Sequence, residues 1–176
     1  MGVTVSGVDG VVAMLEAAKG RLRDLGPVLS VVAADTVTLI DDSFAGGHTP
    51  ENVAWAPLSP KTLARRRGGS GNPLVDTGRM RSSVTAYGRG TTLAFGTNVG
   101  YAPPQQWGAS RSGTLKRRSA GRDAGSPFTV TIPPRPFLPI RKSGGGYALM
   151  TVGAAGAHWD RMRRMVATYI ATGRVT

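Results

Sequence analysis

The sequence predicts an α+β domain: N-terminal helices, a small antiparallel β-sheet with short inserted helices, and a C-terminal helix. Apolar residues recur at helical spacing before residue 47 and again near the C-terminus, whereas short alternating segments separated by Gly and Pro occupy the middle. The 176 residues suit a single domain over 1–176. We divide it into an N-terminal helical segment (1–47), a core (48–140) and a C-terminal helix (147–172).

Two amphipathic helices are predicted in the N-terminal segment. The first covers 7–25, with Ser6 and Asp9 in an S-x-x-D capping box. The second opens at Pro27 and stops at Gly46-Gly47. The apolar stripes are Val8, Val11, Leu15, Ala18, Leu22 and Leu25 in the first helix, and Leu29, Val32, Ala33, Thr36, Ile40 and Phe44 in the second. The two-residue link is compatible with an αα-hairpin or with one long bent helix.

The elements predicted after residue 47 are short. They are a helix from Ser59-Pro60 to Arg67, a turn through Met80 capped by Asp76-Thr77, a β-hairpin from 83–87 and 91–95, a helical turn at 101–108 and a strand at 128–132. Residues 109–127 are rich in Ser, Gly and Arg and are predicted to form a mobile basic loop. A glycine joint at 144–146 precedes the C-terminal helix. The stripe of that helix is Trp159, Met162, Val166, Tyr169 and Ile170.

The formal charge of +12 is unevenly distributed. Residues 1–58 contain three basic and seven acidic residues, a net charge of −4, and residues 59–176 contain nineteen basic and three acidic residues, a net charge of +16. This asymmetry is compatible with DNA or another polyanion bound by the basic portion. It is equally compatible with a head-to-tail ring in which acidic and basic segments of neighbouring copies meet. A solvated basic surface is the third alternative.

Composition excludes several classes of protein. No apolar run approaches the roughly 18 residues that a membrane span needs, and the N-terminal residues do not form a secretory signal. The absence of cysteine excludes disulfides and thiolate metal sites. We therefore expect the protein to work in a cell interior or inside an assembly, without a membrane partner.

Catalytic patterns are missing from the sequence. His48 and His158 are the only histidines, and neither has the partner four residues away that a helical zinc site requires. Asp41 and Asp42 form the only adjacent acidic pair, and neighbouring positions on a helix do not converge on one metal. Neither a phosphate-binding G-x-x-x-x-G-K-[ST] loop nor a G-x-S-x-G elbow occurs. We expect no enzymatic activity, cofactor or metal.

Basic and aromatic residues are the candidates for binding. The first basic cluster is Lys61, Arg65, Arg66 and Arg67, and the second is Arg111, Lys116, Arg117, Arg118 and Arg122. Each would make several phosphate contacts, but without aromatic residues to stack on bases we expect no sequence-specific recognition. Both are also compatible with solvated surface that a partner orders. Trp159 is expected in the core, whereas Trp55 and Trp107 are expected to anchor loops or to fill a pocket on a neighbour.

Five short motifs follow one another in the central part of the chain. They cover 55–63, 74–83, 95–98, 101–108 and 134–138. The series resembles the phage virion morphogenesis family, the tail-completion and neck proteins of Mu-like and related tailed phages. The residues that carry the resemblance are Trp55, Pro57, Leu58, Asp76, Thr77, Gly78, Tyr101, Trp107, Gly108, Pro136 and Phe137. One departure is Gln105, where the family often has His.

The resemblance implies a structural subunit of the phage neck or tail terminus, located in the virion and assembled in the host cytoplasm. Phage symmetry then implies a ring of six copies around the DNA channel. Its partners would be copies of itself, adjacent neck, connector or tail-tube proteins, and the DNA backbone. Arg135, held between prolines, suits a carboxylate on this chain or the next. The alternative is a non-catalytic DNA-binding protein that uses its basic central and C-terminal portion.

Overall fold

The computed structural model describes residues 8–67, 71–116 and 121–175. Its elements are α1 (Val8–Arg23), α2 (Gly26–Gly46), α3 (Pro60–Leu63), α4 (Arg79–Ser82), β1 (Val84–Arg89), β2 (Thr92–Thr97), α5 (Ala102–Trp107), β3 (Ala109–Thr114), β4 (Pro127–Ile132), β5 (Ile140–Ser143), β6 (Gly146–Leu149) and α6 (Gly153–Thr172). The α+β class is confirmed. The predicted cap Ser6 lies outside the described residues.

Helix α2 is the central element of the fold. It begins beside Pro27, whose missing amide hydrogen is not needed in a first turn. It ends where Gly47 adopts a φ of 68° and donates its amide hydrogen to Ser43 O at 3.0 Å. Its predicted stripe is buried throughout: Leu29, Val32, Ala33, Thr36, Ile40 and Phe44. Since β1, β2 and α6 all pack against α2, this stripe organises the core.

Aromatic side chains fill the core around the end of α2. Phe44 packs against Trp55, with ring centroids 5.8 Å apart, and against Phe137 at 5.3 Å. Burial of a side chain of this size contributes about 1.5–3 kcal/mol. Trp159 of α6 is buried as predicted and lies beside Phe95.

The hairpin β1–β2 lies on α2 at very close range. Its strands pair antiparallel from Val84 with Thr97 to Arg89 with Thr92, which confirms the predicted hairpin. A Cβ atom at Gly88 would stand 2.3 Å from the carbonyl carbon of Leu29. Only glycine therefore allows this strand to approach the helix so closely.

The strands of the described ranges form three separate two-stranded antiparallel sheets. The prediction that 109–127 is an irregular loop is wrong for 109–114, which form β3 and pair with β4. Ser112 Oγ and Thr129 Oγ1 add a hydrogen bond of 2.9 Å across the pair. Because all of β3 is exposed to solvent, its sequence lacks the apolar alternation by which strands are recognised.

The C-terminal helix begins later than predicted. Gly144 and Gly145 both adopt positive φ and form the turn of the hairpin β5–β6, and the helix starts only at Gly153. The predicted start at residue 147 is wrong because Tyr147 belongs to β6. None of the helices in the described ranges is long and apolar enough to cross a membrane.

Helix α1 is only loosely attached to the rest of the molecule. It contains no buried residue, and the large members of its stripe are 49–62% exposed: Val8, Val11, Leu15 and Leu22. It packs against α6, where Arg21 Nη1 donates to Ile170 O at 2.8 Å, and does not lie along α2. Of the two arrangements left open by the sequence, the αα-hairpin is therefore excluded.

Candidate interaction groove

A groove of about 1040 Å³ runs between the segment 57–66, the loop 73–80 and strand β4. Four of the five sequence motifs contribute to its lining, including Pro57, Leu58, Asp76, Thr77, Gly78 and Tyr101. Its basic residues are Lys61, Arg65, Arg66, Arg79 and Arg135, against a single acidic residue, Asp76. We call it the basic groove.

The first wall of the groove is helix α3 and the turn after it. Ser59 Oγ accepts a hydrogen bond from Thr62 N at 3.2 Å, and Pro60 occupies the first helical position, so the predicted cap is confirmed. The side chains of Lys61 and Arg65 are exposed and line the groove. They therefore supply positive charge at its rim.

The second wall is held in place by Arg66. Its Nη2 donates to Pro73 O at 2.8 Å, and its Nη1 donates to Val75 O at 3.0 Å. The backbone amide of the neighbouring Arg67 donates to Asp76 Oδ1 at 3.3 Å. The guanidinium thus ties the wall to α3 through backbone carbonyls.

The predicted capping role of Asp76-Thr77 is wrong. The N-cap of α4 is Gly78, with a φ of 75° and no side-chain hydrogen bond to the helix. A left-handed backbone at this position favours glycine. Arg79, which the sequence analysis did not single out, follows this turn and lines the groove.

Arg135 lies at the base of the groove and is 5% exposed. Its Nε donates to Ala56 O at 2.8 Å and its Nη2 to Pro57 O at 3.1 Å. Burial lowers the pKa of Arg135 below its ordinary value, and the positive charge of Arg66 lowers that pKa further. A carboxylate is expected from this chain or the next; this chain supplies none among its described residues, in which Arg135 forms no ion pair.

Trp55 and Gln106 fix the segment that contains Arg135. Trp55 Nε1 donates to Pro136 O at 2.8 Å. Gln106 is 2% exposed, and its Oε1 accepts from Phe137 N at 2.9 Å and Leu138 N at 3.0 Å, while its Nε2 donates to two carbonyl oxygens at 3.2 Å. Sequence reasoning missed Gln106, because a polar residue in a short helix gives no sign that it will be buried.

The remaining motif residues have structural roles. Trp107 stacks on Tyr147 with ring centroids 5.4 Å apart, so it anchors hairpin β5–β6. Gly108 has a φ of 73°, and a Cβ atom there would lie 3.1 Å from Ile132 O. Phe137 is fully buried against Phe44.

The described members of the second predicted basic cluster do not line the groove. Arg111 lies on β3 and is exposed, as are Lys116 and Arg122 in the connection to β4. Arg122 Nη1 donates to Pro127 O at 3.1 Å. Arg117 and Arg118 lie outside the described residues. The first cluster, by contrast, contributes three of its four members to the groove, and only Arg67 is absent from the lining.

His158 and Asp41 make contacts within the fold. His158 is buried, and its Nε2 lies 3.0 Å from Thr36 Oγ1. Burial lowers the pKa of His158, Arg161 lowers it further, and Asp35 opposes them. The hydrogen bond from Arg81 to Asp41, 2.6 Å from Nη2 to Oδ2, lowers the pKa of that carboxyl, against partial desolvation. No group of three or more potential metal ligands occurs in the described ranges.

The described residues form a small α+β domain with a preformed basic groove. The chain belongs to the phage virion morphogenesis family, whose model matches residues 6–149. It is 25% identical over 136 residues to the Mu-like prophage FluMu G protein 2 of Haemophilus influenzae, covering 77% of this chain and 81% of that protein. No solved structure matches. The resemblance seen in the motifs is confirmed.

Proposed function

We propose that this chain is a structural subunit of the neck or tail terminus of a tailed phage. Copies of it form a ring around the DNA channel, complete the tail and join it to the head. The family assignment gives the role in virion morphogenesis. The observation that carries the proposal of an assembling neck or tail subunit is that four motifs line one basic groove. A preformed charged surface of this kind is suited to binding a partner.

Helix α1 supports self-association. Its 16 residues form a rod about 24 Å long with an exposed apolar stripe. Contiguous apolar surface of this kind marks an interaction site in a soluble protein. A ring requires a heterologous contact between two different faces of each copy. The net charges of −4 over residues 1–58 and +16 over residues 59–176 supply opposite charges for such a contact.

The mechanism is association, without a chemical step. Ring neighbours bury apolar surface, and opposite charges orient the approach. The ring of six copies follows from the symmetry of phage tails. The purified protein is expected to be monomeric if the ring closes only on the layer beneath it.

The test is a deletion of the gene in its phage, complemented from a plasmid. We expect filled heads and separate tails by electron microscopy without complementation, and joined particles with it. The protein should be found in purified virions by mass spectrometry. Joined, infectious particles from the deletion strain would contradict the proposal.

The second candidate is a non-catalytic DNA-binding protein. It is favoured by the hairpin β3–β4, which exposes Arg111 on a strand that contributes no buried residue.

The substitutions Lys116→Ala, Arg117→Ala and Arg118→Ala should leave the fold intact and impair particle joining. Full infectivity would remove this region from the mechanism. Native mass spectrometry separates the candidates, because rings without DNA indicate assembly and monomers that associate only on duplex DNA indicate the alternative.

A further inference from the structure

The basic groove contains a buried cation without a counter-ion. Two nitrogens of Arg135 donate to backbone carbonyls, and in the described part of the chain its Nη1 donates no hydrogen bond. Carbonyl oxygens satisfy hydrogen bonds but do not cancel a charge, and a buried charge without a partner is costly. Arg135 therefore presents a fork that matches the geometry of a carboxylate.

Strand β4 provides a second feature of the groove. Its last three residues, Val130, Thr131 and Ile132, line the groove, and Pro133 follows them in the lining. Successive side chains of a strand point to opposite faces, so a groove lined by consecutive residues runs along the edge of the strand. In the described chain β4 pairs only with β3. Its second edge is thus available to another strand.

The groove combines apolar and basic surface along this edge. Leu58, Leu74 and Met80 lie in the lining together with the exposed Lys61 and Arg65. Successive side chains of an extended peptide point to opposite faces. Side chains on one face would contact the apolar residues, and an Asp or Glu of the peptide would place its carboxylate on the Arg135 guanidinium. Main-chain hydrogen bonds to a strand edge give affinity, and side-chain pockets give specificity.

We propose that the basic groove binds an extended acidic segment of a neighbouring particle protein, which adds as a third strand beside β4 and places a carboxylate on Arg135. This inference rests on the proposed function in one respect only, namely that the partner is another protein of the phage particle. The groove itself follows from the geometry of this chain.

A second copy of this chain does not provide such a segment in its described residues. Most acidic residues of its N-terminal portion lie on helices α1 and α2. Of the other two, Asp24 Oδ1 accepts from Gly26 N at 2.8 Å, and Glu51 lies in a turn with Oε1 buried. In the rest of the chain Asp160 lies on α6, Asp76 lines the groove itself, and Asp123 lies in a turn closed by the hydrogen bond from Ser126 N to Asp123 O. We therefore take the partner to be a different protein.

Duplex DNA fits the groove less well than a peptide. A sugar-phosphate backbone brings no apolar side chains to Leu58 or Met80 and adds no strand to β4. Arg135 is too deeply buried to meet a phosphate on the surface of a duplex. Tyr101 is the single aromatic residue in the lining, so the stacking platform typical of single-strand binding is missing.

The test uses the purified full-length chain and a display library of random peptides of about ten residues. We expect enrichment of peptides with Asp or Glu among β-branched residues. A selected peptide is then synthesised with Glu or with Gln and its affinity measured by fluorescence anisotropy. The Gln peptide should bind about tenfold more weakly or worse, the loss typical of a charge-assisted hydrogen bond.

Two substitutions in the groove test the same contact. Arg135→Met removes the charge, and Val130→Glu places a like charge at the strand edge on a residue that is 55% exposed, so the second variant keeps the fold if the first does not. Both should weaken binding of the Glu peptide at least about tenfold. The matched controls Arg89→Met and Val152→Glu, both at exposed positions outside the groove, should bind like the unaltered protein.

Three results would overturn the inference. They are a library without acidic enrichment, peptide binding that survives Val130→Glu, and displacement of the peptide by an equal concentration of duplex DNA. The gene deletion remains a separate readout. Joined particles from the deletion strain, with intact peptide binding, would reject the proposed function and leave the groove assignment standing.

Discussion

The replacement Gln106→Leu should destabilise the protein strongly although the two side chains are similar in size. Gln106 Oε1 accepts from Phe137 N and Leu138 N at 2.9 and 3.0 Å, and leucine leaves both donors without this acceptor. An orphaned buried donor costs about 1–3 kcal/mol. The two together give a loss of about 4 kcal/mol in the free energy of unfolding, or about 8–16 °C in the melting temperature for a chain of this size.

Urea titration followed by circular dichroism measures this loss, with Gln105→Leu as the matched control. Gln105 is the adjacent residue on the same helix and lines the groove; in the described part of the chain its side chain forms no hydrogen bond, and its backbone carbonyl accepts from Arg135 N at 2.7 Å. Its replacement should change stability by about 0.5 kcal/mol or less. Equal effects of the two substitutions would refute the role of Gln106 as the clamp of the segment that holds Arg135.

The other predictions concern packing, pH and assembly. Gly88→Ala should lower the free energy of unfolding by about 1–3 kcal/mol through overpacking, whereas Gly96→Ala, with open space around its Cβ position, should change it little in the same urea titration. Because the pKa of His158 is lowered on folding, stability should fall as the pH drops below about 6.5, where the unfolded chain takes up the proton. His158→Gln should flatten that dependence between pH 7 and 5, and an unchanged slope would contradict it. Replacing Val11 and Leu15 with Ser should shift the melting temperature by less than about 2 °C, since both are exposed, and should reduce complementation of the deletion strain at least about tenfold; normal complementation would exclude α1 as a contact.

Helices α2 and α6 and the first hairpin could be predicted because each buries one face. Phe44 and Trp159 recur at helical spacing with other apolar residues, and both are in the core. Ser59 before Pro60 marks a helix start that the structure retains. Apolar spacing and helix caps depend on residues that are close in the sequence, so the sequence alone reveals them.

Strand β3 and the groove depend on information that local patterns lack. The residues of β3 pair through the backbone and are exposed, so their side chains show no period. Arg135 could be recognised as rigidly presented, but its acceptors Ala56 and Pro57 are about eighty positions away and offer only backbone oxygens. Backbone acceptors have no sequence signature, which is why the sequence leads to the expectation of a carboxylate on this chain or the next.

The exposed hairpin β3–β4 has a thermodynamic consequence for the order of assembly. An isolated two-stranded hairpin is marginally stable in water, so its amides should exchange by local opening at a much lower free energy than those of α2. A third strand would quench these fluctuations, and hydrogen exchange at Val130 and Ile132 would report it. In a subunit that has bound its first partner, the hairpin would form a rigid surface for the next partner. In free subunits the hairpin would remain flexible, so they would bind one another weakly. The low local stability of one hairpin would thus make the particle assemble one protein at a time.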